Sequence, residues 1–268
     1  MLEGKTAVVV GTGPGIGTAC ARALATAGAD VVVSARTHDR LAVLARQLAA
    51  ETGRLVLPLA VDVGDLSSCR ALIDAVLERC GRIDVLVNVA TAGGEHQRID
   101  EVDGIAGIDE LEEAGWTSWR RAFEVNVVGT LELSRLAAQA MRQVGGGSIV
   151  QIGTLGTHSL PTGRARYTST KQAMVSASLT LAKELGSTNV RVNVVTPGYV
   201  TGPPLDALVR SVADRTGESA EDTSRRLARG AALRRHVDPE DVAEAVLFLA
   251  GPGARAITGI ELPVTAGR

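Results

Sequence analysis

Tyr167 and Lys171 are the side chains whose types and spacing point most directly to chemistry. They are spaced i, i+4, so on a helix they lie on one face, one turn apart. A neighbouring ammonium group favours the phenolate and would bring the pKa of a tyrosine down from about 10 toward neutral pH. The pair could therefore act as an acid/base, although a Tyr-x-x-x-Lys pattern also arises by chance on helix surfaces.

Two further polar residues strengthen this interpretation. Thr154 comes just after a strand-like run at 148–152, and Asn126 lies within a predicted helix. Hydride transfer to a carbonyl builds negative charge on oxygen, which needs a proton and hydrogen-bond donors. Each residue has a structural alternative: a helix-surface pair, a strand-end threonine or a buried asparagine. Together, the four predict the catalytic group of a nicotinamide oxidoreductase.

A glycine-rich turn joins the first predicted strand to the first predicted helix. Gly11, Gly15 and Gly17 would let the chain turn sharply and approach a pyrophosphate closely. The helix N-terminus then offers free N–H groups and a positive dipole end to the phosphates. Because Ile16 breaks the Gly-x-Gly-x-x-Gly spacing, an ordinary tight turn remains the alternative for this feature alone.

Cofactor preference is predicted from the residues that end the second and third strands. Where NAD-binding folds carry an acidic residue, this chain has Ala35 and then Arg36, which could bind a 2′-phosphate. We therefore expect NADP(H) to be preferred and NAD(H) to be possible, the alternative being a solvated arginine. Asp62 could accept from the adenine amino group, or could be a helix cap or loop carboxylate.

Alternating strands and helices must position these residues. The predicted strands are 6–10, 30–34, 55–60, 83–88, 148–152, 190–195 and 260–264. The predicted helices cover 16–27, 38–51, 66–79, 116–143, the segment that bears Tyr167, and 239–250. Because the strands are apolar throughout, they indicate a parallel sheet that is buried on both faces. We predict an α/β fold: one Rossmann-like doubly wound domain over 1–268, with seven mostly parallel strands and helices on both faces.

Two stretches interrupt this alternation, both after strands at the ligand-binding edge of the sheet. Residues 93–115 form an acidic insertion, with eight Asp/Glu between Glu95 and Glu113 against Arg98 alone. Residues 200–237 are predicted to be a mobile substrate lid. The lid contains five arginines, at 225, 226, 229, 234 and 235, which form either a solvated helix face or a landing site for an anionic substrate carrier.

Composition excludes other classes. The 268 residues are 45% hydrophobic and 2% aromatic, with a net charge of −2, so nothing indicates nucleic acid or a membrane as partner. No signal peptide and no apolar run of transmembrane length is apparent. The three cysteines fall in helical patterns and read as buried residues in a reducing compartment, which predicts a cytoplasmic protein. No Cys/His cluster has metal-ligand spacing, so no metal is expected.

In order and spacing, the motifs resemble those of the short-chain dehydrogenase/reductase superfamily along nearly the whole chain. The resembling motifs are Gly11-x-x-x-Gly15-Ile16-Gly17, Asn88-Val89-Ala90, Asn126, Thr154, Tyr167-x-x-x-Lys171, Pro197-Gly198, Pro239-Glu240-Asp241-Val242-Ala243 and Ile257-Thr258-Gly259. The cofactor-binding residues implied are Gly11, Gly15, Ile16, Gly17, Arg36, Asp62, Val63, Asn88, Ala90, Tyr167, Lys171, Pro197, Gly198 and Val200.

The resemblance also implies catalytic roles. Lys171 would hold the nicotinamide ribose, Thr154 would donate to the substrate oxygen, and Asn126 would hold a water in a proton relay. It implies a homotetramer, or a homodimer. The absence of charge from Gln172 to Ala182 points the same way, since a helix that is apolar or small on all sides is normally buried.

The chain departs from the family at several positions. Thr154 stands where Ser is usual, Val89 and Thr91 replace the second Asn and the Gly of Asn-Asn-Ala-Gly, and Pro14 stands where many NADP enzymes carry a basic residue. We expect Val89 and Thr91 to alter packing under the cofactor more than chemistry.

The leading expectation is an NADP(H)-dependent carbonyl reductase or alcohol dehydrogenase acting on a small ketone or secondary alcohol. The alternatives are a 3-oxoacyl-thioester reductase, a silent dinucleotide sensor, and an enzyme that uses the same site for epimerisation or elimination.

Overall fold

A single seven-stranded parallel sheet forms the centre of the molecule. The computed structural model describes residues 1–94, 96–99 and 109–268, with the backbone alone for 109–115. The strands are β1 Thr6–Val10, β2 Asp30–Ala35, β3 Val56–Ala60, β4 Val85–Asn88, β5 Gly147–Ile152, β6 Val190–Pro197 and β7 Glu261–Val264. Their order is β3-β2-β1-β4-β5-β6-β7, and every pair is parallel. The predicted fold class is confirmed.

Helices connect the strands and cover both faces of the sheet. They are α1 Ile16–Thr26, α2 His38–Thr52, α3 Leu66–Cys80, α4 Asp109–Phe123, α5 Thr130–Gln143, α6 Gly156–Ser159, α7 Ala165–Leu185, α8 Pro203–Thr216, α9 Ala220–Arg229 and α10 Pro239–Ala250. Short 3-10 turns lie at Gly186–Thr188 and Pro252–Ala254. Among the described helices, none is both long and apolar enough to cross a bilayer.

Each face of the sheet has its own apolar core, because alternate strand residues point to opposite sides. In β1, Ala7 and Val9 join the core beneath α1, α2 and α10, while Val8 and Val10 join the core beneath α3, α5 and α7. Cys20 lies in the first core and Cys69 in the second, both buried. These two side chains pack as small apolar groups, as the sequence predicts, whereas Cys80 is only partly buried, which the sequence analysis did not expect.

The helix predicted over 116–143 begins earlier and is interrupted. Between α4 and α5, residues Glu124–Gly129 form a turn of π-helix that contains Asn126. Such a turn holds one extra residue and commonly marks a functional position within a helix. The sequence analysis missed this interruption. Of the predicted 93–115 insertion, residues 95 and 100–108 lie outside the described residues, and 109–115 are described by their backbone alone.

The predicted lid at 200–237 is largely helical. Helices α8 and α9 pack on each other through Leu205, Val209 and Leu227, a small cluster separate from the two sheet cores. Arg268 fastens α9, since its guanidinium donates to the Leu227 carbonyl at 2.7 Å and lies 4.4 Å from the Tyr199 ring. The lid therefore has few apolar contacts with the body of the protein; its movement stays a prediction.

Three of the five arginines of the lid form ion pairs with nearby carboxylates. Arg225 pairs with Asp222 at 2.9 Å, and Arg226 pairs with Glu218 at 3.0 Å. Arg235 pairs with Asp241 at 2.7 Å. The structure therefore favours a solvated helix face over a landing site for an anionic carrier.

The uncharged part of α7 is less apolar on its outer side than the sequence analysis supposes. Gln172, Ser176 and Thr180 form an exposed polar stripe, while Met174, Val175 and Ser178 are buried against the sheet and neighbouring helices. The argument for a covering subunit thus depends on the absence of charge, not on exposed apolar side chains.

Candidate active site

A long groove crosses the carboxyl edge of the sheet where the strand order reverses between β1 and β4. Crossovers leave these two strands in opposite directions, which opens a crevice of the kind that binds ligands in such sheets. The groove consists of two cavities of ≈ 490 and ≈ 540 Å³, which share Gly11, Gly13, Val89 and Thr91.

The glycine turn forms the floor of this groove. Gly15 has φ +101°, and no atom lies within 4 Å of the place where its Cβ would stand. A Cβ at Gly17 would collide with the Gly11 carbonyl oxygen, so only glycine lets α1 pack this closely on the turn. The first N–H groups of α1 have no side-chain cap, which leaves them available to an anion.

Helix α7 carries Tyr167 and Lys171 to the groove wall opposite the end of β5. Lys171 is 3% exposed, and its Nζ donates to the Ile152 carbonyl at 2.9 Å. Burial lowers the pKa of Lys171 from 10.5 to about 8. Thr154 lies beside the pair in the groove wall. Its hydroxyl accepts from the Gly156 N–H at 3.2 Å, so the hydroxyl proton points away from that N–H.

The Tyr167 hydroxyl has a higher pKa than the sequence analysis expects. Burial raises the pKa above its usual value, while hydrogen bonds to Thr154 and Thr91 and the charge of Arg164 oppose the rise. The Lys171 ammonium group faces the Ile152 carbonyl. The protein's own residues thus favour the neutral phenol, the form that donates a proton.

Asn126 is completely buried and uses its whole side chain on protein partners. Its Oδ1 accepts from the Ala92 N–H at 2.8 Å and from the Thr91 hydroxyl at 3.1 Å. Its Nδ2 donates to the Ala92 carbonyl and to the Thr170 hydroxyl, both at 2.9 Å. Since an amide offers two donors and two acceptor positions, the side chain has none left for a relay water, and the role of Asn126 in a relay stays a prediction. Asn126 instead ties the loop after β4 to the catalytic helix.

Arg36 and Asp62 lie at the other end of the groove. Arg36 is exposed directly after β2, in the position from which a 2′-phosphate could be bound. Asp62 accepts from Arg121 at 2.6 Å and from the Gly64 N–H at 3.0 Å. Burial opposes these hydrogen bonds, but they keep the pKa of Asp62 below its usual value. Asp65 is the residue that caps α3, so Asp62 is a paired loop carboxylate, and its contact with the adenine amino group stays a prediction.

Most of the predicted site residues line the groove. They are Gly11, Gly15, Ile16, Gly17, Arg36, Asp62, Val63, Ala90, Thr154, Tyr167, Lys171, Pro197, Gly198 and Val200. Asn126 lies behind the wall. Asn88 is 3% exposed and donates to the Ser134 hydroxyl at 3.3 Å, so it fastens β4 to α5 instead of reaching the groove.

Sequence reasoning missed three side chains that line the groove beside Tyr167: Thr91, Arg164 and Tyr199. Thr91 stands where the family carries glycine, and its hydroxyl joins Tyr167 to Asn126. Its substitution for glycine was the available signal, because a glycine could not offer this hydroxyl. Arg164 and Tyr199 lie next to recognised motifs in the sequence, but the direction in which their side chains point depends on the fold.

The groove fits a nicotinamide dinucleotide. Its middle is the uncapped N-terminus of α1 above Gly15, which suits a pyrophosphate. One end carries Arg36, and the other end carries the buried Lys171 and the Tyr167 hydroxyl. A nucleotide at the first end and a nicotinamide at the second would each meet groups of suitable chemistry.

Comparisons with known proteins agree with this geometry. The family model described as enoyl-(acyl carrier protein) reductase matches residues 11–268. An oxidoreductase of Methylorubrum extorquens is 34% identical over 266 residues, which cover 99% of this chain and 98% of that protein.

Solved structures agree as well. L-sorbose reductase of Gluconobacter frateurii, solved with NADPH and L-sorbose, superposes with a TM-score of 0.87 at 30% identity, covering 99% of this chain and 97% of that one. A single-site variant of actinorhodin polyketide ketoreductase, solved with NADPH, gives a TM-score of 0.85 at 31% identity, covering 99% of this chain and 98% of that one.

Proposed function

Since this chain belongs to the short-chain dehydrogenase/reductase family of oxidoreductases, we propose that it is an NADP(H)-dependent carbonyl reductase or alcohol dehydrogenase with Tyr167 as its acid/base. The observation that carries this proposal is the meeting of Thr154, Tyr167 and Lys171 at one wall of the groove, with Asn126 directly behind them. A tyrosine, a hydroxyl donor and a buried ammonium group are what proton transfer to a carbonyl oxygen requires.

The chain's residues divide the chemistry between them. When bound, the cofactor supplies the hydride. The Tyr167 hydroxyl donates its proton to the substrate oxygen in reduction, and the Thr154 hydroxyl holds that oxygen in place. Lys171 orients the nicotinamide ribose from its buried position at the end of β5. Because burial favours neutral Tyr167, reduction should proceed at neutral pH and oxidation should need a higher pH.

Arg36 supports the preference for NADP(H). It is exposed after β2, with Ala35 where a carboxylate would repel a 2′-phosphate. Two relatives of known structure, L-sorbose reductase and the polyketide ketoreductase, were solved with NADPH. Arg36→Asp should therefore weaken NADPH binding roughly 10–100-fold and favour NADH, whereas Arg46→Asp, on the exposed side of α2, should change neither. Titration with both cofactors measures this; tighter NADH binding by the wild type would contradict it.

The chain is also proposed to be a single domain over 1–268 with 200–237 as substrate lid, a cytoplasmic protein, and a homotetramer or homodimer. The apolar cluster of α8 and α9 supports the proposal of a lid, because it is separate from the two main cores.

Two alternatives differ in what they predict for the cofactor. A silent dinucleotide sensor would need none of the proton-transfer groups that this groove gathers. An epimerase or eliminase would regenerate its cofactor, whereas a reductase consumes NADPH stoichiometrically. A 3-oxoacyl-thioester reductase would use the same groups, and only the substrate separates it from the leading proposal.

A panel of ketones, sugars, 3-oxoacyl thioesters and secondary alcohols, followed at the absorbance of NADPH, tests the proposal. Tyr167→Phe should lower turnover roughly 10²–10⁴-fold, the range for loss of a general acid, and should leave NADPH binding intact. Thr154→Ser should remain active and Thr154→Ala should not, because the hydroxyl is the group used. Full activity of Tyr167→Phe would overturn the mechanism.

A further inference from the structure

The substrate end of the groove has an uneven distribution of charge. Among the described residues that line the cavity of ≈ 490 Å³, the charged side chains are Arg164 and Lys171, and none is a carboxylate. Lys171 is buried in the wall and is used by the mechanism. Arg164, which directly precedes α7, has no part in the mechanism proposed above.

Arg164 stands close to the reacting groups and has no polar partner among the described residues. Its guanidinium carbon lies 6.0 Å from the centre of the Tyr167 ring, and the residue is half-buried. Within the described part of the chain, its guanidinium makes no hydrogen bond or ion pair. A contact at 6.0 Å is at the outer limit of a cation–π interaction, so the Tyr167 ring does not satisfy this charge.

Other arginines in the structure show what a structural role looks like here. Arg166, two residues later, is buried and donates to Gln97 at 3.1 Å and to the Ser118 hydroxyl. Arg121 is paired with Asp62, and Arg225 with Asp222. Arg164 differs from all of them because its donors face a ligand cavity and not a neighbouring side chain.

We propose that Arg164 binds the carboxylate of the substrate, so that the substrate is an oxo acid or the corresponding hydroxy acid. A guanidinium presents paired N–H donors that match a carboxylate, and a cavity wall without opposing charge strengthens the attraction. The inference rests on the proposed reduction at Tyr167. The carboxylate would contact Arg164 while the carbonyl oxygen, at another carbon of the same molecule, meets the Tyr167 and Thr154 hydroxyls.

Matched pairs of substrates test this inference. The rate constant kcat/KM is measured with NADPH for 4-oxopentanoate and 5-oxohexanoate and for their methyl esters, which keep the carbonyl and lose the charge. The wild type should prefer at least one acid over its ester. Arg164→Met should reduce that acid-to-ester ratio roughly 10–100-fold, the range for a hydrogen bond to a charged group. Arg164→Lys should fall between, since it keeps the charge but not the paired donors.

Arg46→Met, which removes an exposed arginine of α2, is the matched control and should leave the ratio unchanged. A wild type without preference for either acid would overturn the inference. An equal loss on acid and ester in Arg164→Met would overturn it as well, and would assign Arg164 to the tuning of Tyr167.

Calorimetric titration with pentanoate, which has no carbonyl, separates this inference from the proposed function. Pentanoate should bind the NADPH-loaded wild type at least tenfold more tightly than it binds loaded Arg164→Met. If no carbonyl compound is reduced but pentanoate binding depends on Arg164, the proposed function fails and the carboxylate site stands. If ketones are reduced and pentanoate binds both forms equally, the carboxylate site fails alone.

Discussion

Two ionisable groups define the chemistry at the scale of single residues. Burial moves both Tyr167 and Lys171 toward their neutral forms, since the pKa of the tyrosine rises and that of the lysine falls to about 8. A neutral phenol suits proton donation, whereas a buried ammonium group destabilises the folded chain. The charged Lys171 therefore lowers the stability of the folded protein.

Lys171→Met should raise the stability of the cofactor-free protein at pH 7 while it abolishes most turnover. A pKa of about 8 in place of 10.5 corresponds to a loss of roughly 3 kcal/mol in the free energy of unfolding. Below pH 8 the lysine is charged in both folded and unfolded chains, so the full gain should be seen. Between pH 8 and 10.5 the lysine is neutral in the folded chain and still charged in the unfolded chain. The wild type therefore regains stability across this range, and the stability gained by Lys171→Met should fade.

Calorimetric Tm values at pH 7 and pH 10 measure this difference. Lys183→Met, an exposed lysine of the same helix, is the control and should leave Tm within about a degree at both pH values. A lower Tm for Lys171→Met at pH 7 would mean that the hydrogen bond to Ile152 outweighs the burial of charge.

Thr91 should influence the pH dependence of oxidation. Hydrogen bonding with Thr91 lowers the pKa of Tyr167, and on ionisation the Thr91 hydroxyl would turn its proton from Asn126 Oδ1 to the phenolate. Thr91→Val should therefore raise the pKa of that tyrosine and move the rise of alcohol oxidation to higher pH. Thr91→Ser should restore the wild-type profile, because it keeps the hydroxyl. The measurement is kcat for a secondary alcohol between pH 7 and 11; identical profiles for the Val variant and the wild type would remove Thr91 from the chemistry.

The sequence predicts the site residues to the extent that they follow the ends of elements. Thr154 follows β5 and Tyr167 lies on α7, so the parallel sheet brings them to one edge, as expected. The pairing of Asp62 with Arg121 joins residues 59 positions apart. The direction of the Lys171 ammonium group likewise depends on where the Ile152 carbonyl points. Neither follows from local sequence, since both are products of tertiary packing.

At the scale of elements, the π-helical turn between α4 and α5 holds Asn126 at its position. The turn lies against the loop after β3, and a Cβ on Gly129 would overlap the Val63 carbonyl oxygen. The turn has no compositional signature, because it differs from an α-helix by a single inserted residue. Sequence analysis therefore predicts one continuous helix where the structure has two.

Gly129→Ala should destabilise the protein, since backbone atoms of two elements would have to move apart, at a cost of roughly 1–3 kcal/mol or more. Gly186→Ala is the matched control. Both glycines have helical φ and ψ, but no atom lies within 4 Å of a Cβ at Gly186. That substitution should be neutral or stabilising by about 0.4–1 kcal/mol. Urea unfolding of both variants measures the difference; equal stabilities would show that the packing at Val63 adapts freely.

At the scale of the whole molecule, strand order and the two cores are the most predictable features. Right-handed crossovers and apolar strands leave few arrangements of such a chain. The lid is less predictable, because α8 and α9 bury few apolar residues and carry Gly and Pro at their ends.

An oligomer remains a prediction at this scale. Light scattering at micromolar concentration should give a multiple of the 27.7 kDa chain, and a monomer mass would contradict it. Ser176→Arg should lower the mass if the exposed stripe of α7 forms the interface, because a charge would be buried there without a partner. Thr216→Arg, at the exposed end of α8, should leave the mass unchanged.

Cys20 and Cys69 place one thiol in each of the two apolar layers. Burial raises the pKa of Cys20 to about 12 and that of Cys69 to about 11, so the reactive thiolate is scarce while each layer is closed. The rate at which a thiol reagent modifies each cysteine therefore reports how often its own layer opens. Once the partly buried Cys80 is replaced by serine, the chain carries one kinetic probe for each side of its sheet, and the dynamics of the two layers can be compared without introducing any label site.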